Sequence, residues 1–258
     1  MKDYYYHINL KLKANSNGLI KSIKYLPDNE KGSIEKMIEN FPDFSLYENE
    51  YDNILDIEEE AKVPKAIRDY FSAMHTLISQ NELFEKMDKK QKNEIIYGLE
   101  DLIFNRLYGK LFPSLFSEED SIVKQKCEEL SILKPEQIIK NKELIKESLL
   151  KEASRYFSLI NIGISPKEKM DYIIKGLKII YNLITLTTGK DRSGQSSDDI
   201  FDPFLYALII TKIKNLASNV QYINLYLNRD LGDGIYNRIS FDLAGACIII
   251  NEGLKLEE

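Results

Sequence analysis

The sequence predicts an all-α protein. Three observations carry that expectation. From Pro64 onward the apolar residues recur with a period near 3.6. Helix start and stop residues punctuate that pattern at regular intervals. Over 258 residues, 43% apolar and 29% charged content supplies a soluble globule with a sizeable core.

The elements follow in order. Tyr4, Tyr6, Ile8, Leu10 and Leu12 alternate with Tyr5, His7, Asn9, Lys11 and Lys13. With the turn residues at 14–18 and a partner strand at 19–26, this fits a small N-terminal β-hairpin. Residues 33–61 are acidic and broken by Pro42, and read as short helices and loop. Ile95, Leu99, Leu102, Ile103 and Leu107 then form one helical stripe, ended by Phe112-Pro113-Ser114. Ser117 followed by Asp120 reads as the next N-cap, and Pro135 opens a helix that continues in pieces through Leu144, Leu149 and Phe157. The clearest start signal is Ser165-Pro166-Lys167-Glu168. Ser165 caps, Pro166 takes the first helical position, and Glu168 reaches back to the capping residue's amide. That helix carries Met170, Ile173, Ile174, Leu177, Ile180 and Ile184, and a Gly/Ser-rich loop at 187–197 follows. Three helices complete the chain, on Leu205, Leu208, Ile209, Ile213 and Leu216, on Val220, Ile223 and Leu227, and on Ile239, Leu243, Ala246, Cys247 and Ile250. No repeat of fixed length is present.

Composition narrows the function. Thirty-five basic against 41 acidic residues leave a net charge of −6, which argues against nucleic acid or anionic lipid as a partner. Two cysteines, Cys127 and Cys247, exclude a disulfide framework and a four-cysteine zinc site, and fit a cytosolic protein. Two histidines, His7 and His75, leave little for imidazole chemistry. No apolar run approaches the length of a membrane span, and the first residues lack the apolar stretch of a signal peptide.

Asp198-Asp199-Ile200-Phe201-Asp202 is the one dense acidic cluster at a helix start. Three readings stand side by side. Aspartates there relieve unpaired amides and complement the helix dipole. The Asp-Asp-x-x-Asp spacing also suits the magnesium–diphosphate chemistry of all-α isoprenoid synthases, although no second acidic motif accompanies it. A carboxylate offered to a protein partner is the third.

The order of several segments points toward the last. Ser165 to Met170 precedes a helix and loop. Ser196-Ser197-Asp198-Asp199, Tyr206, Ser218-Asn219-Val220-Gln221-Tyr222-Ile223, Gly232-Asp233-Gly234-Ile235-Tyr236 and a helix at 244–250 follow. This succession resembles the Vps-nine (vacuolar protein sorting nine) domain. Leu102 to Tyr108, Leu130 and Leu133-Lys134-Pro135 resemble the helical bundle that precedes it in rabex-type exchange factors. The resemblance implies a layered, multi-helix fold. Its expected divisions are an unassigned extension at 1–65, a helical bundle at 66–134 and an exchange-factor domain at 135–256.

Function is implied in the same way. The expected activity is release of GDP from a Rab-five-type endosomal GTPase, without covalent chemistry, cofactor or metal. Asp198 falls on the family's catalytic aspartate and Tyr236 on its switch-contacting tyrosine. Asp199, Phe201, Asp202, Pro203, Asn219, Tyr222, Ile239 and Ser240 fall on or beside its partner-binding positions. Asp202 stands where the family has proline, with Pro203 one residue late, and Ile239 where threonine is frequent. Those departures motivate an alternative, a non-exchanging scaffold. A cytoplasmic protein recruited to endosomes, with no direct insertion into the membrane, completes the expectation.

Overall fold

The computed structural model describes residues 62–80, 85, 87–112, 118–229 and 234–254. The hairpin expected near the N-terminus and the short helices expected at 33–61 lie outside the described residues. Within them the structure is helical, with no strand. The chain divides into two compact units between Leu102 and Ile103.

The first unit contains α1 (Val63–Gln80) and the opening turns of α2 (Lys89–Leu111). Val63, Ile67 and Phe71 recur every four residues along α1 and are buried, which is the spacing of one helix face.

The second unit contains the rest of α2, then α3 (Glu118–Leu130), α4 (Glu147–Ser158), α5 (Pro166–Thr188), α6 (Ser197–Thr211), α7 (Leu216–Tyr226) and α8 (Ile235–Glu252). Single 3₁₀ turns at Pro135–Gln137 and Lys142–Leu144 occupy the stretch where the sequence reads as helix in pieces.

Helix α5 is the spine of this unit: α4, α6, α7 and α8 all pack on it, while α3 packs on α6, α7 and α8. Its inward face carries Met170, Ile173, Leu177, Ile180 and Ile184, all buried. Phe157 of α4, Phe204 and Leu208 of α6, Ile223 of α7 and Leu243 and Ile250 of α8 close the same core. The α4–α5 contact is close because position 176 is glycine. A Cβ there would lie 2.2 Å from Cε1 of Phe157, so the ring rests directly on the backbone of α5. Cys127 and Cys247 are free and buried, and burial pushes their thiols up to about 11 and about 12. That suits core packing and not nucleophilic chemistry.

Helix ends follow their local chemistry. Ser165 Oγ accepts the Glu168 amide at 3.2 Å, with Pro166 at the first position. The Glu168 carboxylate accepts from the Ile164 amide at 2.8 Å, one residue before the expected partner. Gly189 ends α5 in the left-handed region at φ 69°, the usual device for closing a helix. Lys212 ends α6 in the same region at φ 50°. The single helix expected through Ile213 and Leu216 is therefore two, with Leu216 opening α7.

Asp120 makes a long-range contact, and Ser117, with which the sequence pairs it, lies outside the described residues. Buried in α3, Asp120 accepts from the Ser218 amide at 2.9 Å and from the Ser218 hydroxyl. Ser218 is the third residue of α7, whose Asn215 supplies no side-chain cap. One helix thus satisfies the unpaired amide of another.

A candidate partner-docking site at the starts of α6 and α8

Helix α6 begins with a capping box. The Asp199 amide donates to Ser196 Oγ at 3.1 Å, and the Ser196 amide donates to Asp199 Oδ2 at 3.4 Å. Lys190 approaches the same oxygen at 3.5 Å. The Ser196 hydrogen bonds, with Lys190 behind them, hold the Asp199 carboxyl below the usual carboxylate range. Capping is therefore done by Ser196 and Asp199. Asp198 sits between them at the second helical position, exposed. Among the described residues no hydrogen bond or ion pair engages its carboxylate. A rigid helix start presents an anionic side chain that its own backbone does not consume.

One turn on, Asp202 is half-buried and accepts the Lys140 amide at 3.2 Å. Burial pushes its carboxyl up, opposed by Lys140 and reinforced by the charges of Asp198 and Asp199. Phe201 is half-buried against the core, edge-on to Phe204 at 6.5 Å. Pro203 is buried within α6. Asp198, Asp199 and Asp202 thus turn three ways, to solvent, to a capping serine and to a loop amide. Among the described residues no three acidic, cysteine or histidine side chains gather where they could hold a metal ion. The geometry offers no support for the isoprenoid-synthase reading.

Tyr236 lies in the first turn of α8, half-buried. Its hydroxyl donates to Asp171 Oδ1 at 2.7 Å, and Lys167 donates to Asp171 Oδ2 at 2.6 Å. Both segments are moored on Tyr181 of α5. Gln195, three residues before Asp198, donates to the Tyr181 carbonyl at 3.3 Å, and Arg238, two residues after Tyr236, donates to the Tyr181 hydroxyl at 3.0 Å. Tyr181 therefore ties the segment carrying Asp198 to the helix carrying Tyr236. Spacing along the sequence gave no sign of Asp171, Tyr181 or Arg238. The one usable signal was that a half-buried phenol requires an acceptor.

Besides Pro203, four expected partner-binding residues are interior. Asn219, Tyr222, Ile239 and Ser240 are each no more than 1% exposed. Ser240 donates to the Asn237 carbonyl at 2.8 Å, and Ile239 is core. Asn219 and Tyr222 belong to a hub around Lys169, itself fully buried. The Lys169 ammonium donates to Asn219 Oδ1 at 2.8 Å, to the Ile160 carbonyl at 3.0 Å and to the Tyr108 hydroxyl at 3.3 Å. It also lies 4.6 Å from the ring centroid of Phe112, 5.2 Å from Tyr108 and 5.7 Å from Tyr222. Asn219 Nδ2 donates on to Asn161 and to the Asn215 carbonyl, and the Tyr222 hydroxyl to the Ile164 carbonyl. Side chains in this position reach a partner only by shaping the surface above them.

Comparison with known proteins agrees with this geometry. Residues 150–247 match the family model described as the vacuolar sorting protein 9 (VPS9) domain. The vacuolar protein sorting-associated protein vps901 of Schizosaccharomyces pombe is 24% identical over 177 residues, 63% of this chain and 30% of that protein. The vacuolar protein sorting-associated protein 9A of Arabidopsis thaliana is 22% identical over 166 residues, 62% of this chain and 32% of that protein. The chain spans about a third of the length of these curated relatives. No helix among the described residues is long and apolar enough to cross a membrane. The stretch that matches the VPS9 domain, residues 150–247, is the one that carries Asp198 and Tyr236.

Proposed function

We propose that this chain is a guanine-nucleotide exchange factor for a Rab-five-type endosomal small GTPase, acting through residues 135–256. The observation that carries the reading is Asp198. It stands at a helix start whose capping is already complete, so its carboxylate is available to another molecule.

A GTPase holds its nucleotide through a lysine and backbone amides around the phosphates, with magnesium bridging, and at picomolar affinity that amounts to about 16 kcal/mol. An exchange factor speeds release only by binding the nucleotide-free form better than the loaded one. An intruding carboxylate does so. It pairs with the phosphate-binding lysine once the phosphate leaves, and it repels the phosphate that would return. Asp198 takes this role. Tyr236 docks against the switch segments, and Phe201 and Asp202 border the contact. No cofactor of the chain's own takes part. Recruitment of the cytoplasmic protein to endosomes, without insertion into the membrane, belongs to the same reading.

The departures at 202 and 239 do not favour a scaffold that lacks exchange activity. Asp202 is accommodated by the Lys140 amide and Ile239 by the core, and neither disturbs Asp198. The test is release of fluorescent GDP from a panel of Rab-type GTPases. The Rab-five-type member is expected to respond. Asp198→Ala is expected to lower the rate by about 100-fold or more, because an interfacial charge pair loses one partner, with the helical circular-dichroism signal intact. A fall in helicity matching the fall in rate returns Asp198 to a capping role and removes this reading.

A further inference from the structure

We propose that Asp171 is the positioning residue for Tyr236, setting the phenol from a neighbouring helix so that it meets the GTPase already oriented; the assignment rests on the exchange reading above. Helix α8 begins after Gly234, which adopts φ 75° and offers no side-chain cap. A partner for the Tyr236 hydroxyl comes from α5, 65 residues earlier in the sequence, as the carboxylate of Asp171 at 2.7 Å. A phenol donating to a carboxylate makes a strong, short and directional bond.

Asp171 is itself fixed from its other side. Lys167, one turn back on α5, donates to Oδ2 at 2.6 Å, and both side chains remain partly open, at 22% for Lys167 and 32% for Asp171. The row Lys167–Asp171–Tyr236 therefore runs from α5 to α8 and ends on the ring expected to face the partner. A ring held in one orientation loses no rotamer freedom on docking, and that loss otherwise weakens binding. The contribution belongs to partner affinity and not to the displacement step, which falls to Asp198.

The experiment compares Asp171→Ala, Asp171→Asn, Tyr236→Phe and the Asp171→Ala/Tyr236→Phe double variant, in the full chain, using a Rab-five-type GTPase loaded with fluorescent GDP. Asp171→Ala is expected to raise KM for the GTPase roughly 3- to 10-fold with kcat unchanged. Tyr236→Phe is expected to do the same, and the double variant to be no worse than either single one, since both cut one bond. Asp171→Asn keeps an acceptor oxygen and is expected to recover most of the loss. In the ¹³C spectrum of tyrosine-labelled chain, the Tyr236 ring-carbon signal, identified by its disappearance in Tyr236→Phe, is expected to shift in Asp171→Ala. An active wild type with unchanged KM in Asp171→Ala, multiplying effects in the double variant, or an unmoved ring signal overturns the positioning role alone. A wild-type chain that releases GDP from no GTPase of the panel overturns the exchange reading and this assignment with it.

Discussion

Replacing Lys169 with methionine tests the buried hub of the domain. Methionine matches the length of the stem and keeps most of its packing, so the change isolates the ammonium. Two fully buried acceptors, Asn219 Oδ1 and the Ile160 carbonyl, lose a donor at 2.8 and 3.0 Å, and the longer bond to Tyr108 at 3.3 Å goes with them. An orphaned buried acceptor costs about 1–3 kcal/mol. Relief from burying the charge offsets part of that, which leaves a net loss of about 3 kcal/mol. In a protein of this size that lowers the melting temperature by about 6–12 °C.

The penalty also depends on pH, and the direction is fixed. Burial pulls the Lys169 pKa down to about 7, with Glu168 opposing, whereas an unfolded lysine titrates near 10.4. Between those values the unfolded chain binds more protons, so the wild type gains stability as pH rises. Below the lower value both states are protonated, and the burden of the buried ammonium is fully present. The methionine variant lacks this dependence, so its deficit against wild type widens from pH 6 to pH 9. Urea unfolding of both proteins at several pH values measures it. A deficit under about 1 kcal/mol, or one that is flat with pH, refutes the argument.

Two further outcomes follow from single contacts. Asp120→Ala leaves the Ser218 amide and hydroxyl without their acceptor and is expected to lower stability by about 2–3 kcal/mol in urea unfolding; a change within 0.5 kcal/mol, as at an ordinary surface site, removes the capping role. Gly176→Ala forces a methyl to within 2.2 Å of the Phe157 ring and is expected to destabilise by about 1–3 kcal/mol despite the better helix propensity of alanine; a gain in melting temperature shows that the α4–α5 contact relaxes freely.

Much of the fold is legible in the sequence because its signals are local. The serine cap at 165, Pro166 and the apolar stripe of α5 act over three or four residues, the range that spacing reports, whereas the cap of α6, expected from its aspartates, is shared by Ser196 and Asp199. The break at Lys212 escaped because a lysine in the left-handed region carries no composition signal, unlike glycine. The Asp120–Ser218 bond escaped because it joins residues 98 apart. In the candidate site, the resemblance singled out Asn219, Tyr222, Ile239 and Ser240 together with Asp198 and Tyr236. It does not distinguish a side chain kept for the interior from one kept for a partner. Burial makes that distinction: the first four are inside, while Asp198 is exposed and Tyr236 half-buried.

Asp120 and the rings of Phe104, Tyr108 and Phe112 all precede residue 150, yet they seat Ser218, Tyr222 and Lys169. The portion a family profile recognises is thus smaller than the portion that must be expressed to obtain it folded. A truncation begun at residue 150 would strip α7 of its anchor and open the aromatic lid over a buried cation. Any minimal fragment made for crystallisation or exchange assays has to start no later than Ile103.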